Sequence, residues 1–344
     1  MRPLKCVCLA LAPMAVLCLD TKQTRPTINP KSAESLQGHH FPHKYLNEKT
    51  RPFYVNGSRI PEVDFDIGES YAGLLPISDD VNDSSRLYFW FFPSSNPLAN
   101  NEITIWLNGG PGASSLEGLL QENGPFLWQY GTFKPVPNPW TWVRLTNMVW
   151  VDQPVGTGFS MGDPSAVTEE DVASQFMGFW KNFVKIFNLY KYRIFITGES
   201  YAGMYIPYLA NTMLDAEDQT YFNFKGSLMN DPLINNNNVM RQIPAMAFVE
   251  KWNGLLGLND TFLADVRSRA RTCGYVSFLE NHLQYPANNI LPSPPGGVKD
   301  AEGSCDIWDD IIDAATLLNP VRNTPLELSS AFNLIGLTYA AAVL

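Results

Sequence analysis

The sequence predicts an α/β fold with a parallel sheet, and three observations carry that prediction. Short apolar runs recur along the chain, each stopped by turn residues. A stripe of large apolar residues at helical spacing separates two of them. The composition is that of a packed globule: of 344 residues, 45% are apolar and only 17% charged. Chains that stay disordered show the opposite balance.

The elements follow in order. Residues 20–50 are polar and mixed and read as an arm or propeptide. Runs 87–92 (LYFWFF), 103–107 (ITIWL), 147–151 (NMVWV) and 193–197 (RIFIT) read as strands buried on both faces. The second stops at Asn-Gly-Gly-Pro-Gly, the third at Asp-Gln-Pro and the fourth at Gly-Glu-Ser. Between the last two, residues 168–190 open with Thr168, Glu169, Glu170 and Asp171, a helix-cap signature. Val172, Phe176, Phe179, Trp180, Phe183 and Phe187 then recur at helical spacing, as a core stripe rather than a cofactor box. Strand, helix, strand at this spacing links parallel strands. Run 224–228 reads as a further strand, closed by Asn230, Asp231 and Pro232. Residues 240–285 turn mainly helical, 288–297 with SPPGG reads as a linker, and 307–318 as an amphipathic helix. Its Asp306, Asp309, Asp310 and Asp313 read as a solvated face near the helix start, not as a metal site.

A net charge of −10 argues against a nucleic-acid partner, whose phosphates demand a basic face. No apolar run approaches the ~20 residues that span a bilayer. Residues 1–19 pair Arg2 and Lys5 with an apolar stretch and predict a signal peptide, hence a secreted product. Cys6, Cys8 and Cys18 would leave with it. Cys273 and Cys305 remain and are expected to form a disulfide, two free thiols being the alternative. Asn56, Asn82 and Asn259 head N-x-[ST] triplets and are candidate glycosylation sites.

Two segments carry chemistry. Gly198-Glu199-Ser200-Tyr201-Ala202-Gly203 follows one predicted strand and precedes an apolar helical stretch. That is the setting of a nucleophile elbow, whose neighbours two residues away must be small; Gly198 and Ala202 are. Trp106-Leu107-Asn108-Gly109-Gly110-Pro111-Gly112 also follows a strand. A glycine-rich turn there turns backbone N–H groups outward, so Gly110 and Tyr201 suit an oxyanion hole around Ser200.

At these blocks the sequence resembles the serine carboxypeptidases of the α/β-hydrolase fold, most closely the secreted fungal acid branch. SYAGLLPI at 70–77, WLNGGPGASSL at 106–116, ENGP at 122–125, NMVWVDQPVGTGFS at 147–160 and TGESYAGMY at 197–205 carry the likeness. The resemblance implies Ser200 as nucleophile, Gly110 and Tyr201 N–H as oxyanion hole, and Asn108, Glu122 and Glu199 gripping the substrate's terminal carboxylate. Two glutamates cannot bind a carboxylate while all three are ionised, so at least one must hold a proton. Binding of peptide C-termini is therefore expected to be strongest at acid pH. The implied organisation is an α/β-hydrolase core at 51–231, a helical insertion at 232–320 and a divergent tail at 321–344.

The chain also departs from the family. Ala113 stands where many relatives carry a cysteine. The histidines are His39, His40, His43 and His282, and none sits in the late glycine-rich loop the family uses. The resemblance stops near Asn319 and Pro320, so the late strands and the triad Asp and His are expected to be missing. Three readings stand: a secreted serine-type carboxypeptidase, a non-catalytic fragment binding peptide C-termini, and an esterase or acyltransferase on the same fold. None calls for a metal or organic cofactor.

Overall fold

The computed structural model describes residues 43–129, 131–286, 290–295 and 305–318. The signal segment, Cys6, Cys8, Cys18, His39, His40, most of the linker and of the polar arm, and the tail after residue 320 lie outside them. The strands are β1 (Tyr54–Val55), β2 (Ser70–Pro76), β3 (Arg86–Phe92), β4 (Glu102–Leu107), β5 (Phe126–Leu127), β6 (Val136–Pro137), β7 (Asn147–Asp152), β8 (Arg193–Glu199) and β9 (Phe224–Asn230). The helices are α1 (Leu116–Gly118), α2 (Glu169–Phe187), α3 (Ala202–Asp215), α4 (Ile243–Leu256), α5 (Asp260–Thr272), α6 (Tyr275–His282) and α7 (Ile307–Leu318).

Seven strands form one sheet in the order β1-β2-β3-β7-β4-β8-β9, and β5 pairs with β6 in a separate hairpin. The sheet is mixed: beside the parallel strands expected it carries an antiparallel side. β7, β4, β8 and β9 run parallel, whereas β1, β2, β3 and β7 pair antiparallel. Residues 77–85 between β2 and β3 are too few for a crossover, which takes about a dozen. The chain must reverse there. β8, α3 and β9 make a direct βαβ unit. α2 carries the chain from β7 over β4 to β8, so β4 ends between neighbours reached in opposite directions. The carboxyl end of such a strand is where open α/β sheets place their sites.

Burial separates the strands. β7 is buried along its whole length, and β4 everywhere but at Glu102. β3 alternates between buried and half-buried positions, and β9 is largely exposed, so neither is covered on both faces. Among the described residues β9 has no strand on its outer side. α2 buries the predicted stripe, Val172, Phe176, Phe179, Trp180, Phe183 and Phe187, in the main core, where Phe179, Phe183 and Phe187 meet Phe89 of β3. Burying each such ring contributes about 1.5–3 kcal/mol before the cost of ordering it. A reciprocal Thr168–Asp171 capping box starts α2 at Glu169.

A second apolar cluster joins α4 to α7 through Ile243, Met246, Val249, Val266, Phe278 and Ile311. A Cys273–Cys305 disulfide ties the junction of α5 and α6 to the segment that enters α7, with Cα atoms 5.8 Å apart. Gln242 Oε1 accepts the backbone N–H groups of Ile307 and Trp308, both at 2.9 Å, and caps α7. Asp310 pairs with Arg269 at 2.7 Å. Among the described residues no group of three or more His, Cys, Asp and Glu could hold a metal ion.

Candidate active site

Ser200 occupies the turn between β8 and α3 with φ of 55°. That left-handed conformation costs a non-glycine residue about 1–3 kcal/mol and persists only where the surroundings over-determine it. Here they do. Ser200 N donates to Asn230 O at 3.1 Å, and Ser200 O accepts from Gly203 N and Leu233 N at 3.0 and 2.8 Å. A Cβ on Gly198 would collide with the Leu107 carbonyl and the Ala202 methyl, so the turn closes only with small residues at both places. The Ser200 side chain remains exposed.

β4 delivers the second segment beside it. A Cβ on Gly109 would strike the Tyr201 backbone N and lie 2.8 Å from Ser200 Cβ, so the glycine loop is pressed on the elbow. Gly110 and Gly112 take φ of 107° and 83°, which glycine alone adopts without strain. Gly112 N donates to the Tyr205 hydroxyl at 3.3 Å. Gly110 and Tyr201 thus sit on the two segments that meet at Ser200.

The three predicted carboxylate-binding residues also converge. Asn108 is buried, and its Nδ2 donates to Glu199 Oε1 at 2.9 Å. Its Oδ1 accepts from Trp106 Nε1 at 2.7 Å and from Gly118 N at 3.1 Å. Two donors on that oxygen leave the amide one orientation, with Nδ2 toward the acids. Glu122 comes from the helical turn Leu119–Asn123 that continues α1, held by Asn138 Nδ2 donating to Glu122 O at 3.0 Å. Its carboxyl lies close enough to that of Glu199 for each to feel the other. Burial and the like charge of Glu199 push Glu122 up to about 8, while the Asn108 bond pulls it down. Burial and the charge of Glu117 also raise Glu199, while its bond with Glu122 lowers it. Both carboxyls are thus raised, and they lose their protons as a pair rather than as two separate acids.

The family described as serine carboxypeptidase matches residues 61–253, which include both segments and all three of these residues. The chain belongs to the serine carboxypeptidase family. A probable serine carboxypeptidase of Arthroderma benhamiae is 55% identical over 285 residues, covering 80% of this chain and 53% of the relative. Serine-type carboxypeptidase F of Aspergillus niger is 46% identical over 289 residues, covering 83% and 53%. The chain therefore spans about half the length of the curated relatives it matches. The crystal structure of Kex1(delta)p, a prohormone-processing carboxypeptidase from Saccharomyces cerevisiae, superposes with a TM-score of 0.60 at 24% identity. It covers 78% of this chain and 57% of that one, and bears out the α/β-hydrolase sheet.

Several residues of this serine carboxypeptidase-family site escaped the sequence reading. Trp106 was quoted in a motif without a role, yet its indole N–H orients Asn108. Asp152, buried at the end of β7, accepts from Ser114 Oγ and Ser115 N, both at 2.8 Å, and from Phe159 N at 2.9 Å. It pins the exit of the glycine loop, and its one sequence signal was its place at the end of an apolar run. Burial raises its pKa against those hydrogen bonds. The described histidines pack elsewhere: His43 edge-on against Tyr54 and His282 at a tilt against Phe278, each with ring centroids 5.0 Å apart. Among the described residues no helix is long and apolar enough to cross a membrane.

Proposed function

We propose that this chain grips the terminal carboxylate of a peptide with Asn108, Glu122 and Glu199 and presents Ser200 to the last peptide bond, as a serine-type carboxypeptidase favoured by acid pH. The observation that carries the reading is the meeting of Glu122 and Glu199 beside the Asn108 amide, one residue from a strained, exposed serine. A simple ester offers no terminal carboxylate for such a pair, which argues against an esterase. Ser200 Oγ would attack the scissile carbonyl, and Gly110 and Tyr201 N–H would hold the oxyanion. The amine then leaves, and water releases the acyl group from Ser200. The hydroxyl proton needs a base. The placement of His43 and His282 away from the elbow supports a second reading, recognition of peptide C-termini without turnover.

Both readings share the grip and differ at Ser200. A fluorophosphonate probe should label Ser200, and a blocked dipeptide should lose its C-terminal residue, if the first holds. Binding without labelling selects the second. Affinity for a peptide with a free C-terminus should fall about tenfold or more as pH rises from 5 to 9, because the acid pair loses its protons. Flat affinity over that range, or equal affinity for the C-terminal amide, would sink both. We also place the protein in an oxidising, extracytoplasmic compartment. The Cys273–Cys305 disulfide and three exposed candidate glycan sites, Asn56, Asn82 and Asn259, support this. A glycosidase-sensitive mass of the isolated protein tests it.

A further inference from the structure

The residue after the nucleophile is tied down by its side chain as well as its backbone. The Tyr201 hydroxyl donates to Glu169 Oε1 at 2.8 Å. Glu169 is the first residue of α2, and the Thr168–Asp171 capping box fixes that helix start. The Tyr201 ring meets the Tyr205 ring edge-on at 5.1 Å and 69°, one turn along α3. Tyr205 is buried, and its hydroxyl accepts the N–H of Gly112. One connected path therefore runs from α2 through Glu169, Tyr201 and Tyr205 to Gly112. It joins the two segments that flank Ser200. Among the described residues Glu169 Oε2 is buried with no hydrogen-bond partner, a feature that demands an explanation in a native fold. A residue serving only to fill space between α2 and α3 would not need a carboxylate. A phenol held by a carboxylate gains a short, charge-assisted bond that fixes the ring. The Tyr201 hydrogen bond to Glu169 also pushes the phenol up to about 12, so the donor keeps its proton.

We propose that Glu169 is a positioning residue of the oxyanion hole: its carboxylate locks the Tyr201 phenol, and with it the Tyr201 amide and the glycine loop pressed against that amide. The inference rests on the reading of Ser200 as nucleophile. The elbow needs such a clamp, because Ser200 sits at positive φ and relaxes unless its flanks are held.

The test compares Glu169→Ala, Glu169→Gln, Tyr201→Phe and the Glu169→Ala/Tyr201→Phe double variant in the full chain. Two quantities are read: the rate of fluorophosphonate labelling of Ser200, and amide hydrogen exchange at residues 109–113 and 198–205. Glu169→Ala and Tyr201→Phe should each slow labelling about tenfold, and the double variant no further, because both remove one bond. Glu169→Gln, which keeps an acceptor for the phenol, should recover most of the lost rate. Exchange should quicken at Gly112 and Ser200 while the β3 and β7 amides stay as in the parent. Additive losses, or exchange that quickens evenly across the sheet, would assign Glu169 to general stability and overturn the proposal. If the parent chain is not labelled at all, the nucleophile reading fails. The exchange arm then decides alone: local loosening supports the clamp, and unchanged exchange rejects it.

Discussion

The two halves of the site are built on different principles. Around Ser200 the determinants are backbone: a positive φ, a glycine where a methyl would collide, and main-chain hydrogen bonds to the Asn230 carbonyl and from the Leu233 N–H. Around Glu122 and Glu199 they are side-chain charges and one oriented amide, brought in from β4, the turn after α1 and β8. The first half is local geometry, and tolerates almost no added volume. The second is electrostatics, and its properties move with pH. A single residue step, Glu199 to Ser200, joins them. Substitutions should therefore disturb one half while sparing the other.

The largest effect breaks the elbow half. Gly109→Ala drives a methyl into the Tyr201 amide and should destabilise the protein by about 3 kcal/mol, read by denaturant unfolding. Ser200 labelling should disappear. Next, Trp106→Phe deletes the indole N–H that orients Asn108, leaving a buried oxygen with one donor. A loss of about 2 kcal/mol is expected, with peptide C-termini bound about fivefold more weakly. Labelling of Ser200 should hardly change; if it fell in step with binding, the two halves would be one unit.

The third effect sharpens the electrostatic half. Glu122 is raised from the ordinary carboxyl value of 4.5 to about 8. Between those values the folded protein holds a proton that the unfolded chain has lost. Stability therefore falls as pH rises through that window and is fullest below 4.5. Glu122 is exposed, so solvent screening reduces the total effect to about 1 kcal/mol. Glu122→Gln should remove it, leaving the variant more stable than the parent at pH 8 and equal at pH 4, in unfolding curves at both pH values. The smallest effect returns to the elbow. Ser200→Gly trades positive-φ strain for a more flexible unfolded chain, and should raise stability by about 0.5–1 kcal/mol. A loss instead would show that Ser200 is not strained.

Much of this was legible before any coordinates. The core strands showed as apolar runs because parallel strands buried on both faces need no alternation, and β4, β7 and β8 are such strands. The α2 stripe showed because a 3.6-residue period has one cause. β2 did not, since Gly73 and Pro76 dilute its pattern, and its antiparallel pairing depends on a short connection, not on composition. The elbow and the glycine loop were visible as motifs because each is a local backbone requirement.

What the sequence by itself determined is thus whatever short-range sterics dictate: which residues could form the elbow, which glycines were obligatory, and which helix face had to be buried. Only the tertiary structure decided which distant groups share a field. Asn108 meets Glu199 across 91 positions, and Tyr201 meets Glu169 across 32. Trp106 became the group that orients an amide, and Glu122 and Glu199 became an acid pair with raised pKa values, by proximity alone. Coulomb and hydrogen-bond energies depend on distance and burial, and both are set by the packing of the sheet.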